Sequence, residues 1–499
     1  MAQTNRKTFI LAILTFLSIL FASGAFYGVY HYGAHEFIEI ENWRTDGYDS
    51  EIRLQQGENL AFRRGINYNP LRIEIDSNKA YQSIVGYGAS LTDSSAWLLR
   101  EFLNETAYED VLHALFDPND GIGLSFVRIP FGASDCSLSW YTFDDVGPDL
   151  SAFSIDHDLE YIIPTIQDIL ALNPDVTLMA SPFSAPGWMK LDNNLEDPAT
   201  KGLIGGYLNP DYYDLYADYL IMALEAYASH GAEISLLTLQ NEPFYSPPDY
   251  PGMLMNVSAQ IDFLSVLGPK LAATELDTEL VILDHNWDLA DKALEVLADE
   301  MVRPYISGVA WHGYSSPPDP SMQSLVAEQY PSVDHYFTEV TGFGAAPHFH
   351  DNLAWLYQNV FIGSTRHWSR GALLWNFALN SSGGPILRDY YDMRGVVTVD
   401  EITQEVEYEV EYYALGQISK YVRPRAVRVH STTHQNRFES AAFQNLDGTL
   451  VVVLCNPTNE LQRATISWNG YYVEISLNAK SVITLRWNPQ EITPYEFKI

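Results

Sequence analysis

The chain has 499 residues, enough for a large α/β domain with an accessory domain. Its 28 Lys+Arg stand against 64 Asp+Glu, a net charge of −36 that repels phosphate backbones and anionic membranes and argues against a nucleic-acid partner. Two cysteines, Cys136 and Cys455, fall in different predicted domains, so neither a disulfide framework nor a cysteine metal site is expected.

In chain order, Arg6 and Lys7 precede an apolar run from Thr8 to Ala22, followed by Ser23, Gly24 and Ala25. Residues 1–34 therefore read as a cleaved signal peptide or an uncleaved signal anchor. Either implies the secretory route, towards an extracellular, periplasmic or lysosome-like compartment. Asn104, Asn256 and Asn380 head glycosylation sequons that matter only on a eukaryotic route. Residues 35–83 hold strand fragments.

From residue 84 the chain alternates short apolar runs with helical segments. The predicted strands are 84–89, 124–130, 176–181, 234–241, 280–285, 307–312, 335–339 and 372–376. Plausible helices lie between them, among them 94–103, 159–171, 212–230 and 261–273. Eight parallel units predict a (β/α)₈ TIM barrel over residues 84–399. After residue 400 short strands and the turn signals Asn445–Gly448 and Asn469-Gly470 predict a β-sandwich, joined by residues 35–83 so that both chain ends build it.

Active groups of this architecture sit where strands end. Two predicted strands, the fourth and the seventh, close on a glutamate, Glu242 and Glu339. Glycoside hydrolysis needs such a pair, one carboxyl to protonate the leaving oxygen and one to attack the anomeric carbon. A single strand-end glutamate could instead pair with a buried cation such as Arg128. Trp, Tyr, His and Asn at the neighbouring ends favour sugar chemistry for the pair. His285 and His312 are candidates to orient the glutamates, and Arg128 to hold Glu339 ionised. His348-Phe-His350 resembles a metal pair only superficially. No H-E-x-x-H, P-loop, serine elbow or complete G-x-G-x-x-G occurs; Gly86-Tyr87-Gly88 lacks its third glycine. No metal or cofactor is expected.

The ordered stretches Gly86-Tyr-Gly-Ala-Ser-Leu-Thr-Asp93, Val127-Arg-Ile-Pro-Phe-Gly-Ala-Ser-Asp135, Ser181–Lys190, Thr238-Leu-Gln-Asn-Glu-Pro243, Phe337-Thr-Glu339 and Leu374–Asn380 resemble glycoside hydrolase family 30, the family of glucosylceramidase and microbial β-1,6-glucanases. The resemblance implies a retaining β-glycosidase without cofactor, with Glu242 as acid/base and Glu339 as nucleophile. It implies sugar contacts from Asp135, Phe183, Asn241, Tyr314 and Trp375. The expected partner is a β-linked glucoside, glucosylceramide or a β-glucan, with membrane contact only through an N-terminal anchor or a lipid substrate. Phe183 and Cys136 stand where glucosylceramidase has Trp and Phe, and both are expected to line the sugar pocket. An inactive carbohydrate-binding protein is the alternative from another class.

Overall fold

The computed structural model describes residues 36–65, 67, 69–346, 348–387, 392–491 and 493–494. The expected signal segment, residues 1–34, lies outside them. No described helix is long and apolar enough to cross a membrane.

Three strands come first: β1 (Glu36–Thr45), β2 (Leu60–Arg64) and β3 (Arg72–Ser83). Eight parallel strands follow: β4 (Gly86–Ser90), β5 (Phe126–Phe131), β6 (Thr177–Pro182), β7 (Ile234–Thr238), β8 (Glu279–Asn286), β9 (Ile306–His312), β10 (Asp334–Glu339) and β11 (Ser369–Leu374). They close in sequence order, β11 pairing back to β4. The closure depends on glycine: a Cβ at Gly88 would stand 1.8 Å from the Phe126 carbonyl oxygen.

Six longer strands follow, antiparallel to their neighbours except where β15 lies parallel to β3: β12 (Val427–Ser431), β13 (Glu439–Gln444), β14 (Leu450–Asn456), β15 (Gln462–Trp468), β16 (Tyr471–Leu477) and β17 (Ser481–Trp487). With the N-terminal strands they run β1-β17-β14-β13-β12-β3-β15-β16-β2, and β2 pairs back to β1. The sandwich is thus hydrogen-bonded around its whole rim. Its core is apolar, with Ile38, Ile40, Phe62, Val452, Leu485 and Trp487 fully or almost fully buried. Asn469 and Gly470 both take positive φ, as a tight two-residue hairpin between β15 and β16 requires. Cys136 and Cys455 are both buried and form no disulfide with each other.

Two boundaries differ from expectation. The helix Val410–Ser419 packs on the barrel, where Tyr357 Oη donates to the Ala414 carbonyl and Ser419 Oγ to that of Ile122. The barrel therefore runs past residue 399, because this helix buries its apolar side, with Ala414, Leu415 and Ile418, in the barrel core. β7 ends at Thr238, three residues short of the predicted 241.

The barrel interior shows how the sequence builds a site. Phe126, Met179, Leu236, Val281, Ala310, Tyr336 and Leu373 form one apolar layer. Side chains on one face of a strand recur every second residue, so the next layer is set two positions on. Those residues are Arg128, Ser181, Thr238, His312, Thr338 and Trp375. On β8 the register breaks between Leu283 and His285, and both Leu283 and Asp284 take positive φ. This bulge puts Asp284 into the polar layer, where regular spacing would have put Leu283.

Candidate active site

Arg128 is the centre of the polar layer and is fully buried. Its Nη1 donates to Glu339 Oε2 at 2.6 Å. Its Nη2 donates to Asp284 Oδ2 and Asn241 Oδ1, both at 2.8 Å, and to Ser181 Oγ at 3.1 Å. Asp284 also accepts from Ser181 Oγ at 2.7 Å, Thr238 Oγ1 at 2.9 Å and Thr338 Oγ1 at 2.8 Å. Its pKa sits far below the usual carboxylate range: burial would raise it, but the charge of Arg128 and the hydrogen bonds of His312 and Ser181 win.

His312 bridges two carboxylates, Nε2 at 3.0 Å from Asp284 Oδ1 and Nδ1 at 3.2 Å from Glu242 Oε1. Burial disfavours its cation, but the charge of Glu339 and the bonds to Asp284 and Glu242 raise its pKa to about 9. At neutral pH both ring nitrogens therefore carry protons. His285, with Nδ1 3.8 Å from Glu242 Oε1, goes the other way: burial lowers its pKa to about 4, and it is neutral.

Glu242 lies beyond its strand, in a turn with φ of 45°, and not at the last strand position as expected. Its N–H donates to the Asp284 carbonyl at 3.0 Å, so the bulge that delivers Asp284 also anchors the Glu242 turn. Glu339 ends β10, where Tyr314 Oη donates to its Oε1 at 3.0 Å. A carboxylate oxygen of each glutamate and a ring nitrogen of His312 lie within 4.8 Å of one another. The three stand at ligand spacing, and both ring nitrogens of His312 already face carboxylates, Asp284 and Glu242.

In this network two cations, Arg128 and His312, face three carboxyls, Asp284, Glu242 and Glu339. One proton shared by the two glutamates balances the charge, so they titrate as a pair. Burial raises the Glu339 pKa, and with the charges of Glu242 and Asp284 it outweighs the lowering by His312 and Arg128. Burial raises Glu242 too, but the hydrogen bond and charge of His312 bring it below its ordinary value. The two pKa values are thus pushed apart, Glu339 upwards and Glu242 downwards.

The glutamates open on a cavity of about 480 Å³ that Asp135, Tyr314 and Trp375 also line, with Tyr245, Asp249, Tyr250 and Asn286. Asn241 lies beneath them, its amide oxygen on Arg128. Phe183 does not line the cavity. Its ring stacks on Trp375 with centroids 5.6 Å apart, and it packs with Cys136 behind that residue. The two positions that depart from the glucosylceramidase pattern thus support the wall without forming it. The sequence reading missed Asp284; its signal was an acid next to a histidine at a strand end. A larger hollow of about 600 Å³, lined by Asp319, Gln358, Arg366 and Glu439, lies away from this site, and its Arg366 is tied to the carbonyls of Ser431 and Ser440.

Residues 84–422 match the glycosyl hydrolase family 30 TIM-barrel domain, and residues 426–485 the family 30 beta sandwich domain. The chain belongs to glycosyl hydrolase family 30. This family 30 hydrolase is 31% identical over 408 residues to the endo-1,6-beta-D-glucanase of Aspergillus fumigatus, covering 77% of this chain and 81% of that one. It is 29% identical over 469 residues to the lysosomal acid glucosylceramidase of Mus musculus, covering 88% and 87%. A solved endo-beta1,6-glucanase superposes with a TM-score of 0.81 at 27% identity, covering 91% of this chain and 99% of its own.

Proposed function

We propose that this family 30 hydrolase cleaves β-1,6-linked glucan with retention at the anomeric carbon, Glu339 acting as nucleophile and Glu242 as acid/base. The observation that carries the mechanism is the approach of the two carboxylates, oxygens within 4.8 Å. Retaining enzymes hold their carboxyls about 5–5.5 Å apart, whereas inverting enzymes leave about 6.5–9.5 Å for a water. The linkage rests on the likeness to endo-1,6-β-glucanases in sequence and fold. Glucosylceramide is the second reading, supported by the glucosylceramidase relatives.

In the first step a Glu339 oxygen bonds to C1 while the C1–O bond breaks and Glu242 gives its proton to the departing oxygen. In the second, Glu242 takes a proton from water, whose oxygen attacks C1 and releases Glu339. Bound sugar favours the arrangement of the first step: positive charge growing at C1 stabilises the Glu339 anion, and the aglycone excludes water from Glu242 and disfavours its charge. Once Glu339 is esterified its negative charge is gone, and Glu242 becomes the base. Asp135, Asn241, Tyr314 and Trp375 hold the sugar; Asn241, its carbonyl turned to Arg128, has its NH₂ group to offer a hydroxyl. The Thr8–Ala22 segment behind Arg6 and Lys7 supports export along the secretory route.

The test is product stereochemistry. Glu242→Ala should lose about 10²–10⁴-fold in rate on poor leaving groups, and added azide should restore turnover as a β-glycosyl azide. An α-glycosyl azide from that variant would reverse the two roles. Side-by-side rates on β-1,6-glucan, gentiobiose and glucosylceramide decide the substrate.

A further inference from the structure

Tyr245 is a large aromatic left in the open at a costly place. It lines the same cavity as both glutamates and is 43% exposed. Its phenol and ring have no hydrogen-bond or ring partner among the described residues. Most aromatics near the site are engaged: Trp375 stacks on Phe183, Tyr314 bonds Glu339, and the Phe244 ring lies against His285.

The loop that carries Tyr245 is pre-organised. The Tyr245 N–H donates to the Glu242 carbonyl at 2.9 Å, closing the turn that holds the acid/base. Further on, Met255 N–H donates to the Pro243 carbonyl at 2.8 Å and Gly252 N–H to that of Leu203 at 3.0 Å. Pro243, Pro247, Pro248 and Pro251 stiffen the backbone between. A ring presented on such a loop loses little freedom when something packs on it.

Its position assigns the partner. An acid/base must touch the glycosidic oxygen, so whatever leaves passes the wall that follows Glu242 in the chain. That wall offers the Tyr245 face with Asp249 and Asn286 as the polar groups around it. A pyranose ring has the complementary form: C–H groups on its face and hydroxyls on its rim. An alkyl chain has no hydroxyls to meet those polar groups.

We propose that Tyr245 is the platform for the sugar on the leaving side of the scissile bond, and so selects a glycan aglycone over an alkyl one. This rests on Glu242 being the proton donor. A 1,6-linkage adds a rotatable bond between the two rings, so a fixed second ring is worth more to this substrate than to one with a stiffer linkage.

The experiment compares kcat/KM for gentiobiose, octyl β-glucoside and β-glucosyl fluoride in wild type, Tyr245→Phe and Tyr245→Ala. The fluoride has no aglycone ring and serves as the internal reference. Tyr245→Ala should lower the gentiobiose-to-fluoride ratio about three- to tenfold, the scale of one aromatic contact. Tyr245→Phe keeps the face and should hold that ratio within about twofold. An unchanged ratio in Tyr245→Ala overturns the proposal, because the ring then does not meet the aglycone. Equal losses for gentiobiose and octyl β-glucoside overturn its sugar selectivity. A loss in Tyr245→Phe as large as in Tyr245→Ala overturns the stacking role and moves it to the hydroxyl. The azide product of Glu242→Ala tests the underlying role of Glu242 separately.

Discussion

The barrel mouth and the sandwich core are both buried, yet they are built on opposite principles. The sandwich core is aliphatic and aromatic, and the one register break among its described pairings, between β12 and β3, brings no charge into it. The mouth buries Arg128, Asp284 and His312 completely, and Glu242, Asp284 and Asn376 sit there at positive φ. A non-glycine residue in that region persists only where its surroundings over-determine it. The sandwich is stable because each side chain gains on its own by leaving water. The mouth is stable only as a set, because each charge depends on a partner.

That difference can be broken in order of expected effect. Glu339→Gln should lower the rate about 10⁶-fold, the scale of losing one member of a unit that acts together. Its melting temperature should change little, since a glutamine oxygen can still accept from Arg128 or Tyr314; a large fall would show that the Glu339 charge is needed to hold Arg128. Asp284→Asn should cost about 3–5 kcal/mol, because Arg128 and His312 lose their shared counter-charge. It should also cost about 10²-fold in kcat through misplaced glutamates, and denaturant titration with kinetics on the folded fraction checks both. Phe62→Ala, in the sandwich, should cost a similar ~3–5 kcal/mol by cavity formation with kcat per folded molecule unchanged. If kcat fell as well, the two regions would be coupled.

The smallest effect is on pH. His312 is raised from 6.5 to about 9 in the folded state. It therefore contributes stability that is complete below about pH 6.5 and lost as pH rises through about 9, roughly 3 kcal/mol in all. The stability difference between wild type and His312→Gln, followed from pH 6 to 10, should shrink over that window. A flat difference would mean that His312 is neutral when folded.

Much of this was legible in the sequence because two periodicities agreed. Apolar runs marked all eight barrel strands, and the residues that end them marked the mouth. Arg128 beside Glu339 followed from a lone cation facing a paired acid. Asp284 escaped because its inward direction comes from a bulge, which strand alternation does not encode. The Glu242 turn was read as strand for a related reason: Leu239–Asn241 is chemically acceptable strand, and only the contact to the Asp284 carbonyl turns it away. Phe183 and Cys136 were placed one layer too far forward, since a sequence position reports that a residue is near a strand end and not which side chain stands in front. The end of the barrel was set too early because two short strands, Val397–Val399 and Val406–Tyr408, break the barrel rhythm before its last helix.

The ring of the sandwich joins the first described strand to one of the last. β1 is hydrogen-bonded along β17, and the Gly47 N–H meets Ser481 Oγ across 434 residues. On the ribosome every barrel strand, from Gly86 to Leu374, emerges before β17 does. β1 and β2 therefore wait through most of synthesis with open edges that only late strands can cover. The topology imposes an order of assembly, barrel first and ring last. A chain cut short before Ser481 would carry a finished catalytic bowl beside strands with unpaired edges, a state open to proteases and to self-association. Completing the ring is thus the late step that seals a sandwich begun by the first described strand.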